Sequence, residues 1–242
     1  GPRLAQVLLA VLAPLALLLA AVRLVASPVF LWLEYHRPGF PADRFGFTLA
    51  DRMHYGSAGL DYVTNLAGPR YLSSLTHQGA PLFTEVEVDH MTDVKTVLWI
   101  ATAALVVLVV VCALLIASLL RTSPGGVRRA LFAGAVWLPL AVIALAVLAV
   151  LGWETFFAGF HSLFFADGTW TFSVQDALIR LYPSQFWIDA AVAVGLISLL
   201  TALLTLVFTW PTRRRRERTA DQRSAFESTR LRWAREEDAQ LR

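Results

Sequence analysis

Of the five histidines in the chain, His36, His54, His77, His90 and His161, the last two stand out by their surroundings. His90 lies in Glu85-Val-Glu87-Val-Asp89-His90-Met91-Thr92-Asp93-Val94-Lys95, which ends on the chain's single lysine. If this stretch turns helical towards its end, Glu87, His90 and Asp93 share one face at i,i+3 spacing. A carboxylate beside an imidazole fixes its tautomer and raises its basicity, the property a general base or acid needs near neutral pH. His161 lies in Glu154-Thr-Phe-Phe157-Ala-Gly-Phe160-His161-Ser-Leu-Phe164-Phe165, where a helix puts Glu154 and Phe157 on its face. The plainer role for either histidine is interfacial packing through its amphipathic ring.

Other chemistries fit poorly. Tyr55-Gly56-Ser57-Ala58-Gly59 lacks the first glycine of a nucleophile elbow. There is no P-loop, and no histidine pair has the i,i+4 spacing of a zinc helix. The metal alternative is an ion held by His90, His161 and neighbouring acids. One cysteine, Cys112, permits neither an intramolecular disulfide nor a cysteine-based metal site, and inside its apolar run it reads as a packing residue.

The elements that must position these histidines are legible in the hydropathy. The chain is 57% hydrophobic and 16% charged, with the apolar excess in long unbroken runs, which excludes an ordinary soluble domain. About 20 apolar residues span the hydrocarbon core as a helix. Four segments qualify, 1–33, 96–120, 130–153 and 186–210, with Arg23 near the far end of the first and Pro14 and Pro139 placed to kink two of them. The opening Gly1-Pro2 reads as the remnant of a cleaved tag, and the first run is too long for a signal-peptide core. Arg3, the loop 121–129 with Arg121, Arg128 and Arg129, and the tail 211–242 opening on Arg213-Arg214-Arg215-Arg216 all fall on one side of a four-span chain. The bias of Lys and Arg towards the cytoplasm makes that side the inner one, with both termini cytoplasmic. The expected fold is therefore all-α transmembrane, a four-helix polytopic bundle whose segments 34–95 and 154–185 lie outside.

Segment 34–95 is mixed in character, with turn signals at Arg37-Pro-Gly39, Tyr55-Gly-Ser-Ala-Gly59 and Ala67-Gly-Pro69. Leu82-Phe-Thr-Glu-Val-Glu-Val88 alternates with period two and predicts a short strand, giving a small α/β extracytoplasmic cap. Segment 154–185 and its flanks carry Trp153, Phe156, Phe157, Phe160, Phe164, Phe165, Trp170, Phe172, Phe186 and Trp187. This is an aromatic belt, or an interfacial helix lining a lipid cavity. Ten of the 21 basic residues follow Pro211, all of them arginine. Arg223–Glu227 and Arg232–Glu236 at i,i+4 spacing support a helix in the tail, with Phe226, Leu231 and Trp233 interspersed. The tail is either solvated or laid on the anionic inner leaflet, where a juxtamembrane Arg contributes about 1 kcal/mol.

Three stretches carry a family resemblance: Phe83-Thr-Glu85-Val-Glu87-Val-Asp-His90-Met91-Thr-Asp93-Val94-Lys95, Phe160-His161-Ser-Leu-Phe164-Phe165-Ala-Asp-Gly168-Thr-Trp170-Thr-Phe172, and Asp176-Ala-Leu178-Ile179-Arg180-Leu181-Tyr182-Pro183-Ser-Gln-Phe186-Trp187-Ile-Asp189. The chain resembles, from about Leu4 to Trp210, the four-span bacterial membrane proteins that include the lipoprotein intramolecular transacylase. The resemblance implies an acyltransferase of the bacterial cytoplasmic membrane. Its substrate would be a diacylated lipoprotein with a free N-terminal S-diacylglyceryl-cysteine, whose sn-2 acyl chain moves to the cysteine amine. His161 and His90 are then the catalytic pair, with Asp93 or Glu87 orienting His90 and Glu154 orienting His161. Arg180, Lys95, Trp170 and Phe157 are candidates for holding the substrate. The implied partners are the lipoprotein and membrane lipids, and no nucleic acid, metal or other cofactor is expected. The runner-up is a non-enzymatic membrane protein that binds a lipid or lipoprotein. A small-solute carrier is disfavoured because no span has an acid deep in its core.

Overall fold

The computed structural model describes residues 1–166 and 168–240, and for eleven residues between 216 and 240 it describes the backbone alone. The elements are α1 (Pro2–Val25), α2 (Pro28–His36), α3 (Leu49–Thr64), α4 (Arg70–Ser73), β1 (Thr76–His77), β2 (Ala80–Pro81), α5 (Glu85–Thr122), α6 (Gly126–Leu151), α7 (Trp153–Phe164), α8 (Ala177–Leu181), α9 (Ser184–Thr209) and α10 (Arg213–Gln240). Four of them, α1, α5, α6 and α9, are long and apolar enough to cross a bilayer. A helix suits that setting because it bonds its own backbone where no water can. The protein is a multi-pass membrane protein.

Local chemistry changes three sequence expectations. The first apolar segment is two helices, because Ser27 caps α2, accepting from Phe30 N at 3.4 Å, and Pro28 occupies the first turn. Proline suits a helix start and pushes the preceding residue out of the α region. Over Leu82–Val88 there is no strand. Thr84 and Glu87 form a capping box, each side chain bonding the other's backbone N–H, which starts α5 at Glu85, well ahead of the apolar run from Thr96. The cap's sheet is only the antiparallel β1–β2 hairpin, turned by Gln78 and Gly79 at φ 52° and 82°, the signs a two-residue hairpin turn requires. In α10 the side chains of Arg223, Phe226 and Trp233 lie outside the described residues, and Arg232 bonds Thr229 at 3.4 Å rather than Glu236.

The chain divides into two compact units. One comprises Gly1–Leu17, Val107–Ala141 and Leu199–Arg242. Its core is Leu9, Cys112, Leu119 and Ala130. Pro14 has no N–H to offer the carbonyl four residues back, that of Ala10, and the Trp137 indole N–H donates to it at 2.8 Å. Gly134 lets the chains meet there, since a Cβ would stand 2.8 Å from that same oxygen.

The other unit comprises Leu18–Val106 and Val142–Ser198 and holds both singled-out histidines. Its core includes Leu31, Tyr35, Phe47, Tyr62, Leu72, Met91 and Leu181. Tyr35 Oη donates to Leu181 O at 2.7 Å and Tyr182 Oη to Gly56 O at 2.6 Å, which fixes α8 against α2 and α3. Glu87, 1% exposed, joins α8 to α5: one carboxylate oxygen accepts from Thr84 N and Oγ1 at 2.7 and 3.0 Å, the other from Leu178 N at 2.8 Å. Replacing it strands donors that water cannot reach, at about 1–3 kcal/mol for each group. Glu87→Ala is expected to lower stability by about 2–4 kcal/mol on that basis, and Glu87→Gln by less, measured as thermal unfolding in detergent. A Glu87→Ala protein melting at the wild-type temperature would show the joint to be dispensable.

Candidate active site

His90 sits in the second turn of α5, before that helix becomes continuously apolar, and His161 sits on α7. The structure brings the two together, although 71 positions separate them in sequence (161 − 90). Their rings lie 6.3 Å apart between centroids and 21° from parallel, and each residue is 8% exposed. Phenylalanine fills the space around them. Phe165 touches both rings, at 4.9 Å from His90 and 5.5 Å from His161. Phe172 meets His90 edge-on at 5.3 Å, Phe157 lies 4.0 Å from His161, and Trp170 lies 5.0 Å from it.

Hydrogen bonding distinguishes the two imidazoles. His161 Nδ1 lies 2.9 Å from the carbonyl of Phe157, one turn back. A carbonyl only accepts, so Nδ1 carries the proton and the neutral ring presents a bare Nε2, the tautomer of a base. His90 Nδ1 is buried with no hydrogen-bond partner. Burial, then the neighbouring His161, lowers the His90 imidazole to about 4, against a smaller opposing pull from Asp93. Burial lowers His161 as well, against its bond to Phe157. Both rings are therefore neutral near pH 7, able to take a proton and return it.

The orienting roles read from sequence are redistributed. Glu87 shares the His90 segment but spends its carboxylate on Thr84 and Leu178. Asp93 is exposed and acts on His90 only through its charge. Glu154 is exposed, and His161 is held by the Phe157 carbonyl instead. Of the residues read as substrate contacts, Phe157 and Trp170 line the site. The two cations are occupied by the cap: Arg180 grips both carboxylate oxygens of Asp43 at 3.2 and 2.9 Å and lies 3.4 Å over Phe47. Lys95 donates to Ala67 O at 2.5 Å and lies over Tyr62. Among the described residues no three His, Cys, Asp or Glu side chains converge as a metal site requires.

Sequence reasoning counted Phe165 and Phe172 only as members of the aromatic segment, and it did not foresee their contact with the histidines or the ion cluster in which Arg37 bonds Glu34 at 2.7 Å and also Asp189 of α9. It also missed the Glu87 joint, although Thr84-x-x-Glu87 is a capping-box pattern that a sequence displays.

The family model described as "Lipoprotein intramolecular transacylase Lit" matches residues 7–187. An uncharacterised protein of Aquifex aeolicus (strain VF5) is 30% identical over 207 residues, 84% of this chain and 92% of that one. The in meso structure of the membrane-integral lipoprotein intramolecular transacylase Lit from Bacillus cereus superposes with a TM-score of 0.64 at 18% identity, covering 93% of this chain and 98% of that one. A form of that protein with a histidine-to-arginine substitution gives 0.62 at 19% identity, covering 91% and 94%. At such identities the likeness is one of fold.

The lowered imidazoles make stability depend on pH. In the unfolded chain each histidine protonates near its ordinary value of about 6.5. Between there and about 4 for His90 the unfolded state binds the extra proton. The contribution is thus fully present above about 6.5 and is lost as pH falls towards 4. Melting temperatures across pH 4.5–7.5, a range taken to bracket that window, should fall on the acid side more steeply for the wild type than for His90→Gln. Parallel curves would mean His90 is not desolvated.

Proposed function

The chain belongs to the family of the lipoprotein intramolecular transacylase Lit, and from that premise we propose how this membrane acyltransferase works. The sn-2 acyl chain of a diacylglyceryl-cysteine lipoprotein moves to the amine of that molecule's own N-terminal cysteine. The observation that carries the mechanism is the pair itself, two buried neutral imidazoles in an aromatic box. The free α-amine titrates at about 7.7–8.0, so a base must take a proton as its nitrogen attacks the ester carbonyl. His161 is that base, through the Nε2 left bare by the Nδ1 bond to Phe157. His90 shuttles a proton to the glycerol oxygen as it leaves. Ester becomes amide without a change of oxidation state. Holding both ends of one molecule in register supplies much of the rate, since effective molarities reach about 10⁵ M or more. The phenylalanine rings keep water from the same ester.

The arginine distribution supports an inner location for Arg3, the loop 121–129 and the tail. The histidines then sit at the outer boundary of the bilayer, where the substrate's glycerol and amine lie. The start of α10 docks on that loop, with Arg128 donating to Arg215 O and Thr219 Oγ1 at 3.3 and 2.9 Å. Its exposed arginines suit the anionic inner leaflet.

Two measurements test this. His90→Ala and His161→Ala should each slow conversion of a diacylated lipopeptide, followed by mass spectrometry, by about 10²–10⁴-fold. The double variant should be little worse than the worse single one if the pair acts as a unit. Either variant turning over normally while folded would remove that histidine from the mechanism. For topology, a cysteine at Ser73, an exposed residue of the 34–95 segment, should react with an impermeant maleimide on intact cells, and one in 121–129 only after lysis. Labelling of the 121–129 loop on intact cells would invert the arrangement.

A further inference from the structure

Four aromatic side chains besides His90 stand against His161: Phe157, Phe160, Phe165 and Trp170. Three are pure hydrocarbon. Trp170 brings one polar atom, and an indole N–H can only donate. That Nε1 is buried with no hydrogen-bond partner. An unmade donor in a dry interior is costly, and such orphans are rare enough to demand a reason. Packing supplies none, since phenylalanine serves at the other three positions. The orphan stands in the wall of the site, its ring 5.0 Å from that of His161 and tilted by 35°.

The proposed reaction develops negative charge on the carbonyl oxygen of the sn-2 ester. The side-chain donors around the pair are few. His161 Nδ1–H is committed to the Phe157 carbonyl. His90 has to surrender its proton to the departing glycerol oxygen. The indole N–H neither titrates nor moves, as a fixed donor at a developing oxyanion should not.

We propose that Trp170 is a catalytic residue whose Nε1–H holds the oxyanion. This rests on the transacylase reading above. The amine lone pair forms the N–C bond, and the π pair of the carbonyl moves onto oxygen, where Trp170 meets it. On collapse that pair re-forms the C=O bond, the bond from carbon to the glycerol oxygen breaks, the ammonium proton passes to His161 and from it to His90, and the proton His90 already carried passes to the glycerol oxygen, so both rings end neutral. One ester and one amine become one amide and one alcohol.

The test uses the purified full chain in lipid–detergent micelles with a diacylated lipopeptide, read by mass spectrometry. Trp170→Phe keeps the ring and removes the donor. Replacing Trp170 by its benzothienyl isostere, introduced by nonsense suppression, puts sulfur in place of N–H at nearly constant shape, and serves if the phenylalanine variant fails to fold. Both should lower kcat by about 10²–10³-fold with KM little changed, the usual effect of losing one oxyanion donor. A second readout separates donation from packing. Exchanging the ester carbonyl oxygen for sulfur, a weak acceptor, should slow the wild type more than either variant. The inference falls if the wild type is active and the isostere variant stays within threefold of it. It falls equally if kcat drops but the sulfur substrate is discriminated as in the wild type, since Trp170 would then act by packing. A wild-type protein that leaves the lipopeptide unchanged would bring down the transacylase reading and this inference with it.

Discussion

One buried carboxylate holds the site's parts in register. Glu87 terminates two helices at once, closing the capping box that begins α5 and accepting the Leu178 N–H that begins α8. The consequence runs in both directions along the chain. One turn after Glu87, α5 presents His90. Before α8 comes the connection from α7, which carries Phe165, Trp170 and Phe172 against the two imidazoles. A carboxylate with so little contact with water is costly to bury, and it persists because three donors converge on it. The two tyrosines reinforce the same junction: Tyr35 and Tyr182 bond backbone carbonyls of α8 and α3, and Gly56 and Gly59 leave room for their hydroxyls. A Cβ at either glycine would stand 2.5 Å from a tyrosine oxygen.

The aromatic setting does more than fill space. It strips both imidazoles of water and so keeps them neutral, the opposite of what carboxylate partners would do. A histidine tied to an acid would hold its proton more tightly and give it up less readily. Here His161 is oriented by a neutral carbonyl, and the nearest acid to His90 in charge terms, Asp93, stays in solvent. On the proposed mechanism, this neutrality lets the pair pass a proton between an amine and an alkoxide without either ring becoming a sink for it.

How much of this the sequence displays depends on the range of the interaction. The spans were readable because lipid imposes an average over about 20 residues. His90 and His161 were readable because their neighbours are unusual for flanks of a span. Roles that depend on where one side chain points were not. Arg180 reads as a free cation until Asp43 is placed against it, 137 positions away (180 − 43). Glu87 reads as a partner for His90 because helical spacing puts them on one face, while the actual acceptor geometry is set by Leu178, 91 positions on (178 − 87). The strand expected over Leu82–Val88 failed for a local reason. Alternation of apolar and polar residues is equally compatible with the first turn of a helix once Thr84 and Glu87 cap it.

The same physics explains why a site that favours transfer over hydrolysis should be built from rings. The substrate ester faces two nucleophiles, its own amine and water. The amine gains from being held in register, whereas water loses only by being kept out. Ring edges at His90 from Phe165 and Phe172, and faces at His161 from Phe157 and Trp170, set apolar surface beside the imidazoles. A polar lining would stabilise the charged intermediate but admit the competitor. On the proposed mechanism, apolar rings with the fixed Trp170 N–H set among them meet both demands, since that donor serves the oxyanion while the phenylalanines give water nothing to bond.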